Sequence, residues 1–149
     1  MSGDNSGTFK YTAGFNNVGS YQASAAPYVK SELVVPASSS DAANALEITF
    51  PSVTKFITVR NDGSQSSEEI RLAFASGGLG TGKLGGFSST NNYIKIAQSA
   101  SFSADFRVTK LYLMSEDTDT PNATVVAGLT QIDKARLPDS WKDTDGVGD

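Results

Sequence analysis

The chain has 149 residues, of which 38% are hydrophobic and 19% are charged, with a formal net charge of −4 and neither cysteine nor histidine. Such a chain can form no disulfide, no thiolate nucleophile and no typical zinc, copper or haem site, and it lacks the most common general base near neutral pH. It also lacks the clustered Lys and Arg that a nucleic-acid-binding surface requires. We therefore expect a protein that is not an enzyme, binds no cofactor or metal, and has no nucleic-acid partner.

Residues 1–28 are predicted to form an extended N-terminal arm. Aromatic rings stand among small polar residues there, at spacings that fit neither a helix nor a continuous strand. The rings either pack on the chain's own sheet or, in the case of Phe15, Tyr21 and Tyr28, reach a neighbouring subunit. The first ten residues are polar and the apolar runs of the chain are short, so we expect no secretory signal and no membrane partner.

The stretch from residue 46 to residue 74 predicts three strands. Pro51 cannot donate to a strand ladder and should separate the first two, and Asn-Asp-Gly at 61–63 supplies a turn. Hydrophobic and polar residues alternate in the second and third strands, which predicts one buried and one solvated face for each. The predicted inward set is Ile57, Val59, Ile70, Leu72 and Phe74, and the predicted solvated set of the third strand is Glu69, Arg71 and Ala73.

The rest of the chain extends the same pattern. Residues 76–92 are too rich in glycine for regular structure. The apolar residues lie at even positions up to Val108 and at odd positions from Leu111. This shift in the alternation predicts a bulge or bend near Thr109 and Lys110. Further strands are predicted over residues 29–35, 93–98, 102–108, 111–114 and 123–132. Together these features predict an all-β fold, an antiparallel sandwich of jelly-roll type over residues 29–132, followed by an acidic tail at 133–149.

Two motifs suggest ligand chemistry but lack essential parts. Residues 77–83 match the phosphate-binding pattern G-x-x-x-x-G-K, yet Leu84 stands where a magnesium-binding hydroxyl is needed, and no helix is predicted after it. Glu116, Asp117 and Asp119 lie close together without the spacing of a calcium-binding loop. We interpret the first motif as a glycine loop and the second as a solvated turn.

Trp141 is the only tryptophan and lies in the polar tail. A lone Trp in such a position either packs against its own domain or anchors a partner. Both interpretations remain open, and Trp141 joins Phe15, Tyr21 and Tyr28 as a candidate protein-interface residue.

A series of short segments occurs in a fixed order along the chain. The segments are GFNNVGSYQ at 14–22, Pro27-Tyr28, FPSVTK at 50–55, ITV at 57–59, RLAF at 71–74 and AGLT at 127–130. The ordered set resembles small virion structural proteins of tailed bacteriophages, chiefly phages of aquatic bacteria, cyanobacteria included. The glycine loop and the tail from Lys134 depart from that pattern.

The resemblance implies a capsid-associated role at the virion surface, and it supplies no catalytic residue. The expected function is that of a decoration or cement protein on the outside of the head, with the major capsid protein and further copies of itself as partners. A trimer is the favoured homo-oligomer, because clustering at a local threefold axis multiplies weak contacts. Two alternatives remain: a tail, fibre or knob module that contacts the host surface, and a glycan-binding sandwich in which Trp141 and Tyr93 would share an exposed groove.

Overall fold

A computed structural model of the protein describes residues 26–38, 45–75, 78–79 and 92–137. Phe15, Tyr21, Lys83 and Trp141 lie outside these ranges. The described chain consists of strands and one 3-10 turn, Lys134–Arg136. The eight strands are β1 (Pro27–Val34), β2 (Leu46–Thr49), β3 (Ser52–Asn61), β4 (Ile70–Ala73), β5 (Ile94–Ile96), β6 (Ser101–Ala104), β7 (Lys110–Ser115) and β8 (Asn122–Asp133). Within the same ranges, no helix has the length and hydropathy needed to cross a bilayer.

The strands form two antiparallel sheets of four strands each. The order in the first sheet is β1-β8-β3-β6, and the order in the second is β2-β7-β4-β5. The first strand therefore pairs with the last, the second with the seventh, the third with the sixth and the fourth with the fifth. This is the arrangement of one long hairpin whose tip lies between β4 and β5. The hairpin is rolled up so that successive strand pairs fall in alternate sheets. The prediction of an all-β antiparallel sandwich is confirmed.

The main core lies between the two sheets. Its largest fully buried side chains include Phe50, Ile57, Ile70, Leu72, Leu111 and Leu113. Ile57 and Val59 are fully buried, as their alternation predicted, and Pro51 separates β2 from β3. Phe74 is only partly buried, with its ring packed edge-on against Phe106 at 5.4 Å between centroids.

The change of parity near residue 109 marks a crossing from one sheet to the other. The chain leaves the first sheet after Ala104 and enters the second at Lys110. Thr54 fixes this crossing, because its hydroxyl donates to the Phe106 carbonyl at 2.7 Å and accepts from the Val108 N–H at 3.1 Å. The predicted bend is therefore a passage between layers.

The prediction that Arg71 and Ala73 face water is wrong. Ala73 is fully buried and Arg71 is 7% exposed, although both point away from the main core. They are covered because the chain after β4 returns over the outer face, where Leu79 packs with Ala73 and Met114 in a second small core. Period-two alternation finds the strand, but it cannot show that a later segment will fold over its outer face.

The side chain of Asn61 links the two sheets at the end of β3. Its Nδ2 donates to the carbonyls of Glu68 and Ile96, which belong to the β4 and β5 side of the sandwich, and the bond to Ile96 measures 3.0 Å. Its Oδ1 accepts from the Gly63 N–H at 2.8 Å. Gly63 is required in this tight turn, because a Cβ there would lie 2.7 Å from the Glu68 carboxylate. A fully buried amide thus satisfies two carbonyls and one N–H that water cannot reach.

We predict that Asn61→Ala destabilises the fold by at least about 3 kcal/mol, because each buried polar group left without a partner costs about 1–3 kcal/mol. Chemical denaturation monitored by tryptophan or tyrosine fluorescence measures the loss. Asn122→Ala is the matched control, since Asn122 is exposed in β8 and its replacement should change stability by less than about 0.5 kcal/mol. Equal stability of the two variants would contradict the linking role of Asn61.

Candidate protein interface

Tyr28 is the one candidate interface residue that the structure describes. It lies in β1 opposite Ala127, on the inward side of the first sheet, and its ring meets Phe50 edge-on with centroids 5.0 Å apart. The side chain is half-buried, and its hydroxyl is buried without a hydrogen-bond partner among the described residues. The ring of Tyr28 therefore packs against the core of its own chain.

The outer face of the first sheet consists mainly of neutral residues. One row across the strands runs from Val29 through Val126 and Thr58 to Ser103. The rows on either side are Pro27–Gly128–Phe56 and Thr124–Arg60–Ser101. Arg60 is the only charged residue in these rows, and Asp62 accepts a hydrogen bond from its Nε. This flat surface, which we call the neutral face, carries apolar groups and hydroxyls.

Apolar side chains on the neutral face are exposed to solvent. Val29 is 61% exposed and Phe56 39% exposed, and Val34, at the far end of β1, is 62% exposed. The ring of Phe56 lies over Gly128 on the neighbouring strand, where a Cβ would come within 2.4 Å of it. The absence of a side chain at Gly128 thus leaves room for the Phe56 ring close to the strand. Exposed apolar groups that are rimmed by polar residues are typical of protein-interaction surfaces.

The edge of the first sheet at β1 is poorly suited to pairing with another strand. Its register shifts between Lys30 and Leu33, and Glu32 has a positive φ of 55° within the resulting bulge. Bulges and charged residues on an edge strand prevent sheet-to-sheet association. A partner of this sheet is therefore expected on its face.

The outer face of the second sheet is charged, and its charges are paired. Lys110 meets Glu47 at 3.2 Å on the neighbouring strand, and Lys95 meets Glu116 at 2.9 Å. Arg71, from the strand between, donates from its Nε to Glu116 and from a terminal nitrogen to the Leu79 carbonyl at 3.0 Å. We call Arg71, Lys95, Glu116 and the neighbouring Glu69 the charged cluster.

These contacts change the protonation equilibria of the paired groups. The hydrogen bond from Arg71, assisted by Lys95, lowers the pKa of Glu116 below its ordinary value despite partial burial. The hydrogen bond to Glu116 raises the pKa of Arg71, and Lys110 lowers the pKa of Glu47. Each of these shifts favours the ionised form, so Glu116, Arg71 and Glu47 stay charged near neutral pH.

Tyr93, which would form part of a glycan-binding groove in one alternative, lies beside the charged cluster. The Arg71 guanidinium carbon stands 4.8 Å from the centroid of its ring, and the ring also packs against the second small core. One face of Tyr93 is therefore occupied by its own chain. Among the described residues, no group of three carboxylates is arranged to hold a metal ion.

Models of known protein families and curated proteins were compared with the chain, and neither comparison finds a match. The neutral face was missed at the sequence level, although its signal is present. The outward residues of β3 are Phe56, Thr58 and Arg60, and those of β8 are Thr124, Val126 and Gly128. A solvated strand face usually carries more Lys and Glu than this.

We predict that Glu116→Gln destabilises the protein at pH 7 by about 1–3 kcal/mol, because it leaves the buried Arg71 without its carboxylate. The folded state lowers the pKa of Glu116, so ionised Glu116 contributes to the free energy of unfolding above its unfolded-state pKa, near about 4.3. That contribution is lost as pH falls through the folded-state pKa. The difference in free energy of unfolding between the wild type and Glu116→Gln should therefore become smaller below about pH 4.

Glu47→Gln is the control for this prediction, because it removes a carboxylate that is 43% exposed from the pair with Lys110. Its effect at pH 7 should lie within about 0–1 kcal/mol. Thermal unfolding from pH 3 to pH 8 measures all three proteins. A gap between wild type and Glu116→Gln that is independent of pH would contradict the assignment.

We predict that Tyr28→Phe keeps or raises stability, by up to about 1 kcal/mol, because it removes a buried hydroxyl that has no partner in the described chain. Tyr112→Phe is the matched control: the Tyr112 hydroxyl interacts with Glu47 and helps to lower the pKa of that carboxyl, so its loss should cost about 0.5–1.5 kcal/mol. Denaturant titration compares the two. A marked loss of stability in Tyr28→Phe would show that residues outside the described ranges bind this hydroxyl.

Proposed function

We propose that this protein is a virion structural protein of a tailed bacteriophage. It acts as a decoration or cement protein that binds the outside of the major capsid protein shell as a homo-oligomer and stabilises the head. The observation that carries the proposal is the neutral face of the first sheet. The centre of a protein interface is depleted of charge and enriched in apolar and aromatic groups, as this face is.

The strand order supports describing the sandwich as a jelly roll. Pairing of the first strand with the last, and so inward to the fourth and fifth, is what rolling an eight-stranded hairpin yields. Jelly rolls occur in viral capsid domains and in lectins. Because one fold serves many functions, this topology supports a virion role and is equally compatible with the glycan-binding alternative.

The N-terminal segment supports attachment through many modest contacts. Residues 1–25 contain four aromatic rings and only two charged residues, Asp4 and Lys10. The segment joins the domain at Ala26, beside β8, so it starts at the margin of the neutral face. In a trimer, three such segments would act together and multiply a weak individual affinity.

We predict that removing residues 2–20 leaves the sandwich folded, because β1 begins at Pro27, and weakens attachment to capsids. Loss of even one well-buried ring costs more than about 1–2 kcal/mol per copy, which is about tenfold in the dissociation constant. Purified full-length and truncated protein are added to capsids that lack the protein. Bound copies are then counted and the particles are heated.

Point variants separate the rings from the length of the segment. Phe15→Ala removes a ring that the truncation also removes and should likewise weaken binding, whereas Asn16→Ala combined with Asn17→Ala should bind like the wild type. Equal occupancy and equal thermal protection by all forms would refute the role of the segment. Failure of every form to bind capsids would refute the decoration function itself and favour a host-contact module.

A further inference from the structure

We propose that the neutral face of each copy is the binding site for residues 1–25 of an adjacent copy. The exchange of these segments would link the copies into the homo-oligomer. The inference therefore rests on the proposed function, which includes that homo-oligomer. Its test uses the purified protein alone, however, and can succeed or fail independently of capsid binding.

The chemistry of the face matches that of the segment. The outward rows hold a single charged residue, Arg60, whose charge is neutralised by Asp62. Burial raises the pKa of Asp62, but the hydrogen bonds from Thr124 and Arg60 together outweigh it and lower the pKa, so Asp62 stays ionised near neutral pH. Covering this surface would remove one ion pair, Arg60 with Asp62, from water, and exposed Val29 and Phe56 would gain contacts with incoming rings.

The direction of the chain at Ala26 leads away from the neutral face of its own copy. The Leu129 N–H donates to the Ala26 carbonyl at 3.1 Å, so Ala26 continues the ladder of β1 along β8 by one further step. A segment that keeps this direction moves away from Val29 and Val126 at the centre of its own neutral face. It would have to reverse to cover that face, whereas a second copy placed beyond Ala26 could be reached without reversal.

The length of the segment is sufficient. Twenty-five extended residues span at most about 90 Å. The outer strands of a four-stranded sheet lie only about 15 Å apart. The segment can therefore bridge two molecules and still lay several rings across the sheet. The bulge in β1 disfavours one competing mode, in which an incoming strand extends the sheet at the β1 edge.

Cross-linking tests the contact directly, because the chain has no cysteine of its own and each introduced one is unique. One copy carries Ser20→Cys in the segment, and a second copy carries Ser103→Cys on the neutral face. In the matched control the second copy carries Thr49→Cys. Ser103 and Thr49 are both exposed hydroxyl residues on short edge strands, but they lie on opposite outer faces.

Mild oxidation of the mixed proteins, followed by mass spectrometry of linked peptides, gives the yield of each pair. We expect severalfold more linkage of position 20 to position 103 than to position 49. Adding Val126→Lys to the copy with Ser103→Cys should lower that yield, because it places a charge at the centre of the contact. Adding a lysine at Thr120, an exposed residue outside the sheets, should not.

The outcomes separate the possible occupants. Equal yields at the two faces, or no linkage at high protein concentration, would overturn the proposal. A chain carrying both Ser20→Cys and Ser103→Cys that links only within itself on dilution would assign the face to the chain's own segment, and would also overturn it. Linkage between copies together with failed capsid binding would retain this inference while refuting the proposed function.

Discussion

The buried amide of Asn61 holds the two sheets in a fixed relation. Apolar contact between sheets is strong but has no direction, so by itself it leaves their relative placement loosely specified. Asn61 stands at the end of the central strand of one sheet and donates to the carbonyls of Glu68 and Ile96 on the side of the other. Because both carbonyls are shielded from water, any sliding that breaks these bonds leaves buried groups unpaired.

The position of the charged cluster follows from that link. The amide of Asn61 holds the turn that leads into β4, and the register of β4 places Ile70 opposite Ser115 and Arg71 opposite Met114 and Lys95. Arg71 then lies next to Glu116, which immediately follows β7. The amide of Asn61 thus supports the turn before β4, and the pairing of β4 with β5 and β7 sets which charges meet on the outer face of the second sheet.

The sequence predicted the features that depend on neighbouring residues. Alternation placed Ile57 and Val59 in the core, and Pro51 marked the break between β2 and β3, because strand parity and backbone chemistry are local properties. Arg71 was misplaced because its burial depends on Leu79, which folds back over the sheet. The sequence of β7 carries a signal of this cover. Met114 is apolar at an outward position, which indicates that another segment covers that face.

The cost of removing charge from water distinguishes the two outer faces as sites of assembly. Covering the second sheet would desolvate Lys95, Glu47 and Lys110, which are 48%, 43% and 47% exposed, and their existing partners already satisfy them. Covering the first sheet would desolvate one ion pair, in which the Arg60 side chain is 59% exposed, and otherwise Val, Thr, Ser and Phe side chains, so fewer charges lose contact with water. In any assembly of this chain, desolvation therefore favours burying the first sheet and leaving the second toward solvent. The paired charges on the second sheet would then keep the outer surface of the assembly hydrated.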